Sequence, residues 1–122
     1  MKTKLVINDD LKSYLYKEID RSSEESEVLS NIFKRENFDW QWLFKFSDKH
    51  GASVIKSCCG SWGFDNDLFE LATVYFYEED KHVLCDLEGI DETPIGYLTN
   101  DDVMELLYKV KNIIKGDAKD EN

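Results

Sequence analysis

The chain has 122 residues, of which 42% are hydrophobic and 34% are charged, and its formal net charge is −11. These values are typical of one globular domain that holds a core without metal or disulfides, and they exclude a disordered chain. The negative charge also disfavours direct binding to nucleic acid or to an anionic membrane, because both need lysines and arginines against phosphates.

Two helices are predicted in residues 1–37. The first follows Asn8, which can cap it, and its apolar residues recur at the spacing of one helical face: Leu11, Tyr14, Leu15 and Ile19. The second begins near Ser22, which can form a capping box with Glu25. Its apolar stripe consists of Val28, Leu29, Ile32 and Phe33.

An antiparallel sheet is predicted in residues 38–98. From Trp40 to Phe46 the apolar residues alternate, a turn follows at Ser47–Gly51, and Ala52–Cys58 returns as a second strand. The stretch Asp67–Leu87 predicts a second hairpin, because two runs rich in β-branched and aromatic residues flank one charged cluster. Both faces of its first strand are largely apolar, so both faces of the sheet are expected to be covered.

A C-terminal amphipathic helix is predicted over residues 99–115, after a short edge segment at Ile95–Leu98. Thr99 or Asn100 can cap this helix, and Gly116 is placed to end it. Residues 117–122 are predicted to form a disordered tail. The apolar positions of the helix share one face: Val103, Leu106, Leu107, Val110, Ile113 and Ile114.

The order of these elements predicts an α+β fold in a single domain, residues 1–116. Strands that are joined by tight turns pair antiparallel, so the two hairpins make an antiparallel four-stranded sheet. Two helices precede this sheet, and the C-terminal amphipathic helix covers it.

No catalytic or cofactor motif is present, so the protein is expected to be non-enzymatic, without cofactor or metal. Cys58, Cys59 and Cys85 include no C-x-x-C pair, although hairpin folding can bring them toward His50 and His82 as a zinc site. A small cysteine-dependent enzyme stays the alternative, and it requires a histidine within hydrogen-bond reach of a thiol.

The compartment is inferred from the N-terminal residues and the cysteines. Only Leu5-Val6-Ile7 separates the first lysines from Asp9, which is too short for the core of a signal peptide. No run of the sequence approaches the length of a membrane span. The expected location is the cytoplasm, with reduced thiols.

Most of the negative charge lies in the second half of the chain, where residues 67–122 hold 5 basic and 15 acidic residues. Such charge often serves solubility alone, and a partner with a basic surface is the sharper interpretation. In the glycine-bearing loop at 59–66, two aromatic residues are either exposed anchors or part of the core. The candidate binding residues are Glu78, Glu79, Asp80, Asp91, Glu92, Trp62 and Phe64.

The region from residue 40 to residue 114 resembles small, mostly uncharacterised accessory proteins of phages and prophages of low-GC Gram-positive bacteria. The resemblance rests on the alternating Trp40, Trp42, Phe44 and Phe46, and on the segments Gly51–Ile55, Gly63, Leu68–Ala72, Thr93-Pro94 and Gly96–Thr99 before an amphipathic helix. Proteins in this setting often inhibit host defence, and anti-CRISPR proteins are among them.

The resemblance implies a phage-accessory setting. Together with the negative charge of residues 67–122 and the absence of a catalytic motif, it predicts a protein that binds and inhibits a host protein with a basic surface, one that handles nucleic acid in the host cytoplasm. An immunity-type protein that neutralises a toxin is the alternative binding function, and it has the same electrostatic requirement. The region of Trp40 and Trp42, or the second face of the sheet, is a candidate surface for a homodimer.

Overall fold

The computed structural model describes residues 2–23, 28, 31–32, 37–58, 61, 63, 66–90 and 92–120. Within these residues the chain forms a short helix, five strands, a sixth short strand and a long helix. Their bounds are α1 Asp9–Lys12, β1 Leu15–Asp20, β2 Asp39–Lys45, β3 His50–Ser57, β4 Phe69–Glu78, β5 Lys81–Leu84, β6 Ile95–Leu98 and α2 Asn100–Asp120.

The strands form one antiparallel sheet in the order β1-β2-β3-β4-β5, and β6 also pairs with β4. The ten residues of β4 are long enough to hold two partners on one edge. Its first part pairs with β6 and its last part with β5. Between them, the Thr73 amide donates to Thr93 Oγ1 at 3.0 Å, and the Cys85 amide donates to the Thr73 carbonyl at 3.0 Å. The backbone of β4 is therefore satisfied across the gap.

The helix α2 covers one face of the sheet, which we call the helix face. Alternating residues of β2, β3 and β4 point toward it, because successive side chains of a strand lie on opposite faces. The central sheet residues of this core are Trp42, Phe44, Ala52, Val54, Phe69 and Leu71, and α2 contributes Val103, Met104, Leu107, Val110 and Ile114. Trp42 is 1% exposed, so its side chain belongs to this core and is not part of an exposed homodimer surface.

The opposite face of the sheet curls inward, and we call it the concave face. Tyr16 Oη donates to Asp80 Oδ1 at 2.5 Å, and Lys17 Nζ lies 3.2 Å from the same oxygen. The Lys45 ammonium lies 4.0 Å from the Tyr16 ring centroid and 4.7 Å from that of Phe76. In a flat sheet β1 and β4 would be about 14 Å apart, three strand spacings, so these contacts require curvature. The concave face buries Leu43, Ala72, Val74 and Phe76.

The backbones of β2 and β3 approach closely where the sheet curls. A Cβ atom built on Gly51 would lie 1.8 Å from the carbonyl oxygen of Phe44. Any side chain at this position would therefore force the two strands apart. Glycine removes that clash, and the hairpin keeps an unbroken register from Asp39 opposite Ser57 to Lys45 opposite Gly51.

A buried lysine anchors the N-terminal segment to the sheet. The side chain of Lys56 is fully buried, and its Nζ donates to Asp67 Oδ1 at 2.5 Å and to the Thr3 carbonyl at 2.6 Å. Asp67 also accepts hydrogen bonds from the amide and the hydroxyl of Thr3. Burial lowers the pKa of Lys56, and the hydrogen bond and charge of Asp67 oppose that shift. Because a buried ammonium needs such partners, the segment is held in place.

The same segment fixes the start of α2. The Val6 amide donates to Asn100 Oδ1 at 2.8 Å, and Asn100 Nδ2 donates to the Val6 carbonyl at 2.9 Å. Thr99 Oγ1 accepts from the Asp102 amide, and Asp102 Oδ2 accepts from the Thr99 amide, so the two residues cap the helix reciprocally. The predicted helix start at Thr99 or Asn100 is confirmed.

The fold class is confirmed as α+β with an antiparallel sheet and a C-terminal helix, but the predicted four-stranded sheet is wrong. The described residues form six strands. The first predicted helix is also wrong beyond one turn, because α1 ends at Lys12 and Leu15–Asp20 is β1. The physical reason is the edge of β2, whose unpaired backbone groups are satisfied when β1 adds to it.

Two further predictions concern the helices. The second predicted helix lies largely outside the described residues, of which Val28, Asn31 and Ile32 are helical. The predicted end of α2 at Gly116 is wrong, because the helix continues to Asp120 and takes up the first part of the predicted tail. A glycine inside a helix costs only about 1 kcal/mol relative to alanine, so it does not stop one.

No helix in the described part of the chain is both long enough and apolar enough to cross a membrane.

Replacing Asp67 with asparagine should destabilise the fold by roughly 3 kcal/mol, because it leaves Lys56 buried without a counter-ion. The figure is at the low end for a buried pair because the Asp67 side chain is 33% exposed. Asparagine tolerates the φ of 59° at this position, so backbone strain does not confound the result. Urea denaturation measures the loss, and the double variant Lys56→Met/Asp67→Asn should recover most of it. A single variant as stable as the parent would contradict this account.

Acid should remove the same stabilisation. Partial burial raises the pKa of Asp67, but hydrogen bonds from Lys56 and Thr3 outweigh it and hold the pKa below the ordinary 3.8. A carboxylate with a depressed pKa stabilises the fold above its unfolded-state pKa, and this contribution is lost as the pH falls through the folded-state value. The free energy of unfolding of Asp67→Asn should therefore fall less steeply below pH 3.8 than that of the parent, and equal slopes would contradict the pairing.

Candidate functional site

The acidic hairpin tip between β4 and β5 is largely engaged within the molecule. Asp80 binds Tyr16 and Lys17, and Glu78 lies 3.3 Å from Lys81 Nζ. The carbonyl of Glu79 accepts a hydrogen bond from Lys45 Nζ at 3.0 Å, while its carboxylate is exposed. Of the three predicted binding residues at this tip, Glu79 is the one whose carboxylate forms no ion pair with a described residue, and the binding role of all three stays a prediction.

The bond between Tyr16 and Asp80 changes the titration of both groups. The hydrogen bond to Asp80 is the main reason why the pKa of Tyr16 is raised to about 12. The same bond, followed by the hydrogen bond and charge of Lys17, lowers the pKa of Asp80 from its ordinary value. Asp80 is therefore ionised at neutral pH and holds β1 to the tip.

The other predicted binding residues have different outcomes. Glu92 is exposed, in the loop between β5 and β6. Asp91, Trp62 and Phe64 lie outside the described residues, so their predicted roles stay predictions. The loop that carries Glu92 packs on α2 through Gly89, where a Cβ atom would lie 2.9 Å from Ile113 Cδ1.

A groove of about 560 Å³ runs along the outer side of α2 beside the end of β6. Its apolar lining is Leu98, Leu106 and Tyr108, and its polar lining is Asp102, Glu105, Lys109 and Asn112. Asp102 is used in the helix cap, whereas Glu105 is exposed. The groove thus joins an apolar floor to a polar rim of two carboxylates, one lysine and one asparagine. We call it the α2 groove.

An exposed aromatic residue lies next to this groove in the sequence. Tyr97 precedes Leu98, is 63% exposed and has a φ of 59°, in the left-handed region that is unfavourable for such a bulky residue. Gly63 packs against its backbone, since a Cβ there would lie 3.0 Å from Tyr97 Cα. The backbone of Tyr97 is thus held in this conformation while its ring remains in solvent.

The charges of the described residues are unequally compensated. Most of the lysines contact a carboxylate or an aromatic ring of the chain: Lys4, Lys12, Lys17, Lys45, Lys56, Lys81, Lys111 and Lys115. In contrast, several exposed carboxylates of the second half form no ion pair with any described residue: Glu79, Asp86, Glu88, Glu92, Asp101 and Glu105. The negative charge of the second half therefore remains on the surface.

The concave face contains a cavity of about 260 Å³. Within the described part of the chain, its apolar lining is Ile55, Ala72, Leu84 and Pro94, and its polar lining is Gln41, Ser53, Glu70 and His82. Arg21 Nη2 donates to Gln41 Oε1, and Gln41 Nε2 donates to Ser53 Oγ at 2.8 Å. Gln41 and Ser53 are each 7% exposed, so this is a buried polar chain at the cavity wall.

The histidines and cysteines do not form a metal site among the described residues, where no group of three or more histidine, cysteine or acidic side chains lies together. His82 contacts the Phe76 ring and His50 contacts Tyr75, so the two histidines are in separate places. Cys58 is buried and Cys85 is half-buried, and neither forms a disulfide with a described residue. Cys59 lies outside the described residues.

No protein-family model, curated protein or solved structure matches the chain.

The α2 groove and the cavity were both missed in the sequence. The outer face of α2 carried a signal, because Leu98, Asp102, Glu105, Lys109 and Asn112 recur at helical spacing just as the inner apolar face does. The residues of the cavity show no such pattern in the sequence. Its polar residues come from β2, β3, β4 and β5, and only the curled sheet brings them together.

Replacing Tyr16 with phenylalanine should raise the pKa of Asp80 toward 3.8, because the hydrogen bond that most depresses it is lost. The ion pair with Lys17 should keep the value below 3.8. A ¹³C NMR titration of the side-chain carboxyl groups measures this shift. Tyr77→Phe, at an exposed position of β4, is the matched control and should leave Asp80 unchanged. An Asp80 pKa that is the same in Tyr16→Phe and in the parent would refute the contact.

Proposed function

We propose that this chain is a non-enzymatic protein of the phage or prophage type that binds and inhibits a host protein with a basic, nucleic-acid-handling surface. Anti-CRISPR or other anti-defence inhibition in the host cytoplasm is the setting that the sequence resemblance suggests. The observation that carries the proposal is the α2 groove, where an apolar floor adjoins the exposed carboxylate of Glu105. The resemblance and the net charge of −11 support it.

The proposed binding surface combines an aromatic anchor with an acidic rim. Tyr97, which precedes the lining residue Leu98 and does not itself line the groove, supplies the anchor. Tyrosine is among the residues that most often dominate binding energy at protein interfaces. Asp101 and Glu105 supply charge that attracts a basic partner and orients it during encounter. Leu98 and Leu106 supply apolar area that is covered on binding.

The hairpin tip has a different role in this proposal. Asp80 belongs to the closure of the sheet and is not a contact residue, because its carboxylate is already held by Tyr16 and Lys17. Glu79 and Glu92 extend the acidic surface beyond the groove, and they contribute mainly to the rate of association. A segment of the partner lies in the groove. Its apolar residue contacts the floor, and the basic side chains around it face the carboxylates of the rim.

The test is affinity capture from the lysate of a low-GC Gram-positive bacterium, with the parent chain and its variants run in parallel. The parent should retain a basic protein at low salt and release it at high salt, because exposed charges are screened. Asp101→Lys/Glu105→Lys should weaken this binding by at least about tenfold, and Tyr97→Ala by about thirtyfold.

Two matched control variants distinguish an effect of the groove from an effect of net charge and from the loss of any exposed tyrosine. Glu18→Lys/Asp48→Lys changes two exposed carboxylates of the first half by the same total charge, and Tyr77→Ala removes a tyrosine that is 49% exposed elsewhere. Both controls should bind as the parent does. Thermal unfolding should show that every variant is folded, since a single charge near the start of a helix typically contributes only about 0.3–1 kcal/mol. Equal capture by the groove variants and the controls would overturn the proposal.

A further inference from the structure

The cavity on the concave face is separate from the α2 groove, because the two lie on opposite sides of the sheet. Its volume of about 260 Å³ equals the space of roughly eight or nine water molecules at about 30 Å³ each. That is smaller than the roughly 300–1,000 Å³ of sites for drug-sized ligands. An occupant therefore has the size of a single heterocyclic base and not of a peptide.

The hydrogen-bonding groups of the cavity are arranged around an apolar surface. Gln41, Ile55 and Glu70 are consecutive cross-strand partners on β2, β3 and β4. Neighbouring positions of this kind have Cβ atoms about 5 Å apart, so Gln41 and Glu70 flank Ile55 at about 10 Å from each other. A flat molecule that lies on Ile55 can reach both polar side chains at its edges.

One side of this surface donates hydrogen bonds. Gln41 Nε2 carries two hydrogens and donates one to Ser53 Oγ. Its second hydrogen and the hydroxyl hydrogen of Ser53 are therefore donors for a ligand. Arg21 holds the amide in this orientation through its bond to Oε1, so the donors point consistently.

The other side accepts hydrogen bonds. Glu70 already interacts with another group, but a carboxylate has about four acceptor positions, so capacity remains. His82 lies at the wall beside Leu84, where burial and then the charge of Arg21 lower its pKa. A neutral imidazole offers one donor and one acceptor.

We propose that this cavity binds a small neutral N–H heterocycle with the size and the hydrogen-bonding pattern of a nucleobase. Adjacent donors and acceptors on a planar edge match Gln41 and Ser53 on one side and Glu70 on the other. The apolar faces of the ring lie against Ile55 and Ala72. Because Glu70 lines the cavity and the chain has a net charge of −11, a phosphorylated form of the same base is repelled.

The two histidines of the chain make a direct test, since His82 lines the cavity and His50 lies against Tyr75 outside it. Adenine, cytosine and uracil are each added to ¹⁵N-labelled protein, and the imidazole signals are followed by NMR. At least one base should shift His82 saturably, with a Kd below about 1 mM, and leave His50 unchanged. Its 5′-monophosphate should bind more weakly. No saturable shift with any base, or equal shifts at both histidines, would overturn the proposal.

Two variants test the location of the bound base. Ala72→Leu fills the cavity from its floor and should abolish the shift. Because this variant can also disturb the core, Ser53→Ala is the second test, and it should weaken binding by roughly tenfold through the loss of one hydrogen bond. Ser13→Ala, at an exposed serine, is the matched control. Equal affinity of Ser53→Ala and Ser13→Ala would refute the site. Failure of base binding leaves the proposal for the α2 groove untouched, because no residue is shared between them.

Discussion

The sheet curls until Tyr16 on β1 meets Asp80 in the β4–β5 turn, and the concave face depends on this closure. It joins residues 64 positions apart in the sequence and lies across three strand spacings. Lys17 and Lys45 reinforce it with an ion pair and with ring contacts. Because the sheet curls toward this contact, the concave face buries apolar residues of β2 and β4, and a cavity forms where small and polar side chains replace large ones. The acidic tip, although exposed, thus has a structural role, because Asp80 binds Tyr16 and Lys17 of β1.

A second constraint sets the position of α2 and therefore of its groove. The buried Lys56 holds Thr3 and Asp67 together, and Asn100 is bound to the backbone of Val6. The N-terminal segment in this way links the sheet to the first turn of the helix, and Leu5 and Leu11 fill the core between them. The outer side of the helix is left facing solvent beside β6. Glu105 there forms no ion pair with a described residue, whereas most lysines of the described chain contact a carboxylate or a ring.

The sequence predicted the parts of the fold that depend on local pattern. The alternation of Trp40, Trp42, Phe44 and Phe46 identified β2. The largely apolar character of both faces of β4 agrees with the structure, where β4 buries residues on both faces. The spacing of Leu11, Leu15 and Ile19 misled, because it fits a helix as well as one helical turn followed by a bulged strand. The free edge of β2 decided between the two, and an edge is a property of the assembled sheet.

The candidate sites were harder to predict than the fold, since their residues are brought together by long-range contacts. In the sequence, Asp80 is one member of a charged run. No residue near it indicates that its carboxylate accepts a hydrogen bond from Tyr16. Gln41, Ser53 and His82 are ordinary strand residues until the sheet curls. The residues on the outer face of α2 recur at helical spacing in the sequence. That they line a groove depends on the position of β6 beside the helix, which the sequence does not show.

The central claim is that the sheet curls so that β1 meets the β4 end of the second hairpin. The ring centroids of Tyr16 and Phe76 are 6.2 Å apart in an edge-to-face arrangement, so their ring protons are close enough for a nuclear Overhauser effect. A NOESY spectrum of the intact protein should therefore show cross-peaks between the two rings, and further ones from Tyr16 to the side chain of Lys45. If Phe76 shows cross-peaks only to its neighbours on β3 and β5, the sheet is open at this end and the account of the concave face is wrong.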